Sequence, residues 1–216
     1  MKTKFAISSH INFHEKTYSR LVDSLLVCGI PPEDIYFFIG GCETYEEIHG
    51  QGVHVWKVDH NSIDFTGLVS VVDLKIESDR WFLLHDTTYV GTDFYCKVKE
   101  KKSSSKVIDM SQLFSKNMGS YSQEYLNEIT PTLLERYKNK DLSIESTREF
   151  KAMNVKTENI FLKAEEFFNM EKPIITEHKI DFYGTNTPRS IQYYPGVDLY
   201  KVQSYYNSPG NYNIQI

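Results

Sequence analysis

The chain has 216 residues, of which 40% are apolar and 14% aromatic, and its formal net charge is −5. This composition excludes a wholly disordered chain, and the length suits one globular domain because it is too short for two full-sized cores. The mildly acidic balance argues against a nucleic-acid-binding protein, since such proteins concentrate basic residues on one face.

Strands and helices alternate in the first 88 residues. One helix is predicted from Lys16, where an apolar stripe begins, and another over Thr66–Lys75. Strands are predicted over four runs: Lys4–Ser8, Ile35–Ile39, Val53–Val58 and Trp81–Leu84. This order predicts an α/β fold with a central, mainly parallel sheet flanked by helices. Right-handed crossovers then put the carboxyl ends of the parallel strands at one edge.

The second half of the chain is less regular, and no linker or internal repeat divides it. Strands are predicted at Val107–Met110, Ile174–Tyr183 and Leu199–Tyr205. Helices are predicted from Gln123, from Thr130-Pro131 to about Lys138, at Ser143–Asn154 and at Glu158–Met170. The lysine- and serine-rich segment Lys97–Lys106 is predicted to be a mobile loop or lid, although Thr92–Glu100 could be a short helix. Residues 1–216 are therefore expected to form a single domain.

The most informative residue is Asp86, which follows the strand Trp81–Leu84 and His85. Ligands of open α/β sheets collect at this end of the strands, and a carboxylate there could hold a divalent cation against diphosphate oxygens. The alternative is that Asp86 caps a turn or the next helix. Glu77-Ser78-Asp79 has a closer acidic pattern, but it precedes the strand and is expected at the opposite edge.

Other polar residues fall at the same predicted edge. Ser8, Ser9 and His10 could hydrogen-bond a nucleobase or ribose. Asp64 could contact a ribose hydroxyl or cap the following helix, and Gly67 could admit a ligand or simply pack the helix on the sheet. Each residue taken alone is more readily explained by structure than by function, but their common position predicts a ligand site.

Taken in order, these segments resemble GT-A-fold nucleotide-sugar glycosyltransferases, most closely the amino-terminal domain of chlorella-virus capsid-glycan glycosyltransferases. The resemblance covers about the first 125 residues and is carried by Phe5–His10, Asn61-x-x-Asp64-x-x-Gly67-Leu68, Phe82–Thr87 and Met118–Tyr121. It implies a GT-A-like, Rossmann-like fold. Residues 1–125 would form the nucleotide-sugar and metal half, and residues 126–216 the acceptor-side half.

The resemblance also implies an activity, in which a hexose such as glucose or rhamnose passes from a UDP-sugar to a hydroxyl of a glycan or glycoprotein. Asp86 would bind Mn²⁺ or Mg²⁺, and the usual second acidic position is occupied by Thr88. The nucleotide-sugar would contact Ser8, Ser9, His10, Asn61, Asp64, Gly67, His85, Asp86 and Gly119. The candidate catalytic bases are Asp109, Asp141 and Glu145, each also explained as a solvated surface carboxylate.

Two other functions fit parts of the pattern. A non-catalytic nucleotide- or carbohydrate-binding module could stack the tyrosines of Tyr193–Tyr206 on sugar rings, although alternating tyrosines are also typical of half-buried sheet. A metal-dependent phosphohydrolase of the haloacid-dehalogenase type would use a strand-terminal Asp as nucleophile. That class normally has a second Asp two residues later, where this chain has Thr88.

Cysteine content and hydropathy indicate the compartment. Three scattered cysteines, Cys28, Cys42 and Cys96, do not form a disulfide framework and suit a reducing environment. Neither a signal peptide nor a run of about 20 apolar residues is evident. The sequence therefore predicts a cytoplasmic protein without a membrane span, in the host cytoplasm if the protein is viral.

Overall fold

The computed structural model describes residues 1–101, 103–111, 118–138, 164, 166–180 and 189–204. The strands and α-helices of these residues are β1 (Thr3–His10), α1 (His14–Val27), β2 (Ile35–Gly40), β3 (Glu46–Gly50), β4 (Val53–Lys57), α2 (Thr66–Asp73), β5 (Arg80–His85), β6 (Thr88–Val90), α3 (Phe94–Glu100), β7 (Val107–Ser111), β8 (Gly119–Ser122), α4 (Gln123–Leu133), β9 (Glu166–Asn169), β10 (Ile174–Ile180), β11 (Arg189–Tyr194) and β12 (Leu199–Ser204). None of these helices has the length and apolar composition that a bilayer crossing requires.

Eight strands form a mixed sheet in the order β3-β4-β2-β1-β5-β8-β7-β9. β1 pairs in parallel with β2 and β5, and β2 pairs in parallel with β4, whereas β8 runs antiparallel between β5 and β7. The α/β class and the mainly parallel sheet are therefore confirmed. β3, an antiparallel edge strand, is not among the predicted strands because Ile48 is its only apolar residue.

Helices cover both faces of this sheet, so it separates two buried clusters. Leu21 of α1 lies in one cluster with Phe5, and Leu68 of α2 lies in the other with Ala6. Residues Trp81–Leu84 of β5 are fully buried because both faces are covered. That burial explains why β5 is a continuous apolar run in the sequence.

α2 lies close against β1 at Gly67. A Cβ atom on Gly67 would lie 3.2 Å from the carbonyl carbon of Ile7 and 3.3 Å from that of Ala6, so any larger residue would push the helix away from the strand. The packing role of Gly67 is confirmed, and its contact with a ligand stays a prediction.

The separate helix predicted from Thr130-Pro131 is wrong. α4 begins after Ser122, whose hydroxyl accepts from the N–H of Tyr125, and it continues through Pro131 to Leu133. The Thr130 hydroxyl donates to the carbonyl of Leu126 at 2.7 Å, as a threonine within a helix does, and so it is not a cap. One wider helical turn, Leu134–Lys138, follows.

The helix predicted over Glu158–Met170 is also wrong where the structure describes it. Glu166–Asn169 form β9, which pairs in parallel with β7. Phe167 and Phe168 pack against the two different clusters, and over so short an apolar run the periodicities of helix and strand cannot be distinguished. The predicted helix Ser143–Asn154 lies outside the described residues.

A smaller antiparallel sheet, in the order β10-β11-β12-β6, joins the last three described strands to β6, which follows β5 in the chain. β6 begins three residues after His85, and its Thr88 pairs with Lys201 of β12. The predicted strands Ile174–Tyr183 and Leu199–Tyr205 are confirmed over their described parts. This sheet brings the last described strand beside the residues that follow β5.

Candidate functional site

The candidate site lies at the carboxyl ends of β1 and β5. The chain leaves β1 through α1 to β2 on one side, and after α2 it returns to β5 on the other side of β1. The connections diverge at this point, and in open α/β sheets such a divergence forms the crevice in which ligands bind. This edge of β1 and β5 is here called the crevice. Ser8 and His85 are opposite one another at the end of the β1–β5 register, so the predicted residues meet at this edge.

Asp86 is held at the crevice by β1 and α1. Its N–H donates to the carbonyl of Ser8 at 3.0 Å, and its Oδ2 accepts from the Ser9 hydroxyl at 2.6 Å. Thr17 Oγ1 lies 3.1 Å from the same oxygen, and its single hydrogen is shared with the carbonyl of Phe13 at 3.2 Å. Among the described residues no main-chain N–H donates to this carboxylate. The explanation of Asp86 as a cap is therefore wrong.

Opposing effects set the charge of Asp86. Burial raises the pKa of Asp86, the hydroxyls of Ser9 and Thr17 lower it, and the nearby Asp64 carboxylate adds a smaller increase. Asp64 Oδ1 also lies 3.7 Å from Nδ1 of His85. Two carboxylates and an imidazole thus share one crevice, although they are far apart in the sequence.

Ser8 positions the turn that carries Asp64. Successive residues of a strand point to opposite faces, so the Ser8 side chain faces α2 while Ser9 faces α1. The Ser8 hydroxyl donates to the carbonyl of Asp64 at 2.8 Å and accepts from the N–H of Gly67 at 2.9 Å. The N-cap of α2 is Phe65, without a capping side chain, so the cap explanation of Asp64 is wrong.

His10 and Asn61 make local contacts at this edge. His10 is the last residue of β1, not a loop residue, and its Nδ1 accepts from the N–H of Asn12 at 3.2 Å. Burial lowers the pKa of His10, which favours the neutral ring. Asn61 Oδ1 accepts from the N–H of Ile63 at 3.2 Å. Contacts of His10 and Asn61 with a nucleotide stay predictions.

Lys201 also reaches this edge, although it is not among the predicted site residues. Its Nζ lies 3.3 Å from Nδ1 of His85 and 3.4 Å from Sδ of Met118. Burial lowers the pKa of Lys201, and the Asp64 carboxylate opposes this effect. Only the pairing of β12 with β6 brings Lys201 here, and no local pattern reveals that pairing.

Gly119 and Asp109 lie deeper in the sheet than the crevice. Gly119 pairs with Leu83 and Asp109, and its φ of +145° is one that favours glycine. A Cβ there would also clash with the carbonyl oxygen of Ile108. Asp109 is buried, so its explanation as a surface carboxylate is wrong. The other candidate bases, at positions 141 and 145, lie outside the described residues.

The described residues supply few ligands for a divalent cation. Within the described ranges no three His, Cys, Asp or Glu side chains converge as in a complete metal site. Oδ1 of Asp86 has no hydrogen-bond partner in this part of the chain and can act as a ligand. The phosphates of a ligand and water would complete the coordination. The donor set therefore fits a cation that binds together with a diphosphate.

Tyrosines of the smaller sheet form a stacked row. The ring centroids of Tyr193 and Tyr200 are 4.6 Å apart, and those of Tyr200 and Tyr89 are 4.7 Å apart with rings inclined by 3°. The guanidinium of Arg20 lies 4.0 Å from the centroid of Tyr89. Because both faces of Tyr89 and Tyr200 contact other side chains, they are not available to stack on a sugar. The half-buried sheet explanation is confirmed for Tyr193 and Tyr200, whereas Tyr205 and Tyr206 lie outside the described residues.

His60 anchors the loop before α2. Its Nδ1 lies 2.9 Å from Ser62 Oγ, and its Nε2 lies 3.2 Å from Ser70 Oγ. The Ser70 hydroxyl donates its hydrogen to the carbonyl of Thr66, so Nε2 must carry the ring hydrogen and Nδ1 must accept. Burial lowers the pKa of His60 to about 4. The loop therefore depends on a neutral histidine.

We expect acid to destabilise the fold through His60. Its folded-state pKa of about 4 lies below the ordinary 6.5, so the stabilisation is complete above pH 6.5 and is lost as the pH falls to 4. The full loss is about 3 kcal/mol. Urea unfolding at pH 7 and pH 4.5 measures it, and His60→Gln, which cannot take up the proton, should show a clearly smaller difference. An equal difference in this variant would contradict the role of His60.

Comparison with known proteins identifies no family for this chain. No protein-family model matches it, and no curated protein is significantly similar to it. The function is therefore argued from the residues of the crevice.

Proposed function

We propose that the chain is a metal-dependent GT-A-type glycosyltransferase that transfers a hexose from a UDP-sugar to a hydroxyl of a glycan or glycoprotein. The arrangement of Asp86 is the main support. One of its carboxylate oxygens is held by Ser9 and Thr17, and the other has no hydrogen-bond partner among the described residues. A carboxylate fixed in this way at a switch point of the sheet suits a hard cation bound to a diphosphate.

The convergence of the four resembling segments supports the same proposal. Ser9, Asp64 and Asp86 belong to three of the segments, and Ser9 and Asp64 both interact with Asp86. Met118, from the fourth segment, contacts Lys201 beside His85. Chance resemblance of short segments gives no reason for them to meet at one edge of a sheet. Their meeting favours one site that binds a nucleotide-sugar.

The residues of the crevice have distinct roles in this proposal. Asp86, with Asp64 beside it, would hold Mn²⁺ or Mg²⁺, and the ion supplies positive charge that stabilises the departing diphosphate. His10 and Asn61 would contact the nucleoside. Asp109 remains a candidate for the base that accepts the proton of the attacking hydroxyl if the reaction inverts the anomeric centre.

The setting that we propose is capsid-glycan synthesis in the cytoplasm of an infected host. Cys28, Cys42 and Cys96 are free thiols, which suits a reducing compartment. The resemblance to chlorella-virus enzymes supports the viral part of this proposal.

Neither alternative function gains a supporting observation. The Tyr89 and Tyr200 faces that a carbohydrate-binding module would use are occupied by other side chains. Thr88, at the second acidic position of the phosphohydrolases, is 1% exposed and donates its hydroxyl to the carbonyl of His85 at 2.6 Å. It cannot replace the second aspartate of that class.

A panel of UDP-hexoses tests the proposal. With Mn²⁺ present we expect slow release of UDP from one or a few of them, including UDP-glucose or UDP-rhamnose, and no release in EDTA. UDP with Mn²⁺ should also raise the melting temperature, because a ligand that binds only the folded state stabilises it. A thermal shift without UDP release would favour a binding module, and phosphate release from simple phosphomonoesters would favour a hydrolase. No response to any nucleotide would contradict the proposal.

A further inference from the structure

Lys201 brings a positive charge to the crevice from the smaller sheet. Its Nζ lies within 3.4 Å of both His85 and Met118, so the ammonium is at the carboxyl end of β5. Burial lowers the pKa of Lys201, and Asp64 counteracts this effect. A buried charge is stabilised by a nearby anion, and the carboxylate of Asp64 is close enough to act on Lys201 in this way.

The pairing of β12 with β6 places Lys201 beside the position at which the second acidic residue is missing. Lys201 lies directly opposite Thr88 in the pairing of β12 with β6. Thr88 occupies the position where the resembling enzymes have a second acidic residue, and an aspartate there would place a negative charge beside the ammonium. A threonine adds no such charge, and its hydroxyl is bonded to the carbonyl of His85. The loss of one carboxylate thus changes the charge balance around Lys201.

The formal charges of the crevice show what Lys201 contributes. The carboxylates of Asp64 and Asp86 together cancel the charge of one divalent cation, which leaves the diphosphate without net compensation. The ammonium of Lys201 makes the site net positive toward the diphosphate. Hydrogen bonds between an ammonium and a phosphate oxygen are charge-assisted, and they are stronger than those between neutral groups.

We propose that Lys201 is a second, protein-borne cation that binds the diphosphate of the nucleotide alongside the ion on Asp86. The inference rests on the proposed glycosyltransferase function. It adds a residue whose positive charge acts on the diphosphate in a site where Thr88 supplies no second carboxylate for the metal ion. In transfer, the C–O bond between the sugar and the diphosphate breaks, and its electron pair departs with the diphosphate. A new bond forms from the anomeric carbon to the acceptor oxygen, whose proton passes to a base. Lys201 then stabilises negative charge on this leaving group.

Binding of UDP and of uridine, both with Mn²⁺, tests the inference. Lys201→Met keeps the volume of the aliphatic stem, and Lys201→Gln is a second neutral variant. Calorimetry should show UDP binding weakened by about 10- to 100-fold in both, as expected for loss of a hydrogen bond between charged groups. Binding of uridine, followed by NMR titration, should be unchanged because it has no phosphate. Lys201→Arg should retain most of the affinity, and Lys172→Gln, at an exposed lysine before β10, should change neither ligand.

Three other results would each contradict the inference. Wild-type UDP affinity in both neutral variants would overturn the inference and leave the proposed function intact. Equal losses for UDP and uridine would also overturn it, because Lys201 would then act only through the structure of the site. If the wild-type protein binds no UDP at all, the proposed function fails and this inference fails with it.

Discussion

Replacement of Asp86 by asparagine should abolish Mn²⁺-dependent UDP binding and leave the fold at least as stable as the wild type. Burial raises the pKa of Asp86, which means that the folded state disfavours the ionised carboxylate. Asparagine keeps an oxygen that accepts from Ser9 but cannot balance a cation. We expect hexose transfer to fall by about 10²–10³-fold. Calorimetry with UDP and thermal unfolding without ligand measure the two effects separately.

Asp79→Asn is the matched control. Asp79 belongs to the acidic pattern that precedes β5, and its Oδ2 lies 2.5 Å from the main-chain N of Lys2, at the opposite edge of the sheet. Its replacement removes the same charge and should change neither UDP binding nor transfer. If Asp86→Asn instead unfolded more easily and kept its Mn²⁺-dependent affinity for UDP, Asp86 would be a structural residue and the proposed function would lose its main support.

The position of the crevice could be predicted because it follows from local features. β5 is buried on both faces, so it is a continuous apolar run, and the first charged residue after it is Asp86. Each central parallel strand ends in polar or glycine residues, and right-handed crossovers put these ends at one edge. Periodicity and chain connectivity were therefore sufficient to place Ser9, Asp64 and Asp86 near one another.

The residues and strands that the sequence did not reveal depend on contacts between distant segments. β6 has three residues, too few for a periodic pattern, and it is a strand because β12 pairs with it. A lysine in a strand is usually exposed, so Lys201 gives no local sign of its contact with His85. Thr17 is similar, since a threonine on a helix gives no sign that it faces Asp86.

Misassigned elements have a related cause. Thr130-Pro131 has the residue types of a helix start, but α4 is already capped upstream at Ser122 and buries Leu133 on the same face as Leu126. Packing of the helix against α2 and the sheet outweighs the signal of the proline. Residue types that are typical of a helix start are therefore a weak guide to helix boundaries where the buried face of a helix continues past them.

The pH below which UDP binding is lost should move in opposite directions in two variants of the crevice. Cation binding requires ionised Asp86, so affinity falls as this carboxylate is protonated. Ser9→Ala removes a hydrogen bond that lowers the pKa of Asp86, and its UDP binding should be lost at higher pH than in the wild type. Asp64→Asn removes a charge that raises this pKa, so the loss should move to lower pH. Calorimetry with UDP and Mn²⁺ between pH 5 and 8 measures both.

Ser8→Ala separates this electrostatic effect from a general loosening of β1. Hydrogen bonds to a charged acceptor contribute about 1.5–3 kcal/mol, so at pH values where Asp86 is largely protonated Ser9→Ala should reduce UDP affinity by about tenfold or more. Ser8 bonds the Asp64 carbonyl and the Gly67 N–H on the opposite face, so its replacement should cost stability without moving the pH of the loss. Because Asp64 is placed near the ion, Asp64→Asn should also weaken UDP binding at every pH. The pH below which binding is lost should still move down in Asp64→Asn, whereas it moves up in Ser9→Ala. Shifts of the same sign in Ser9→Ala and Asp64→Asn would show that Asp86 does not control cation binding.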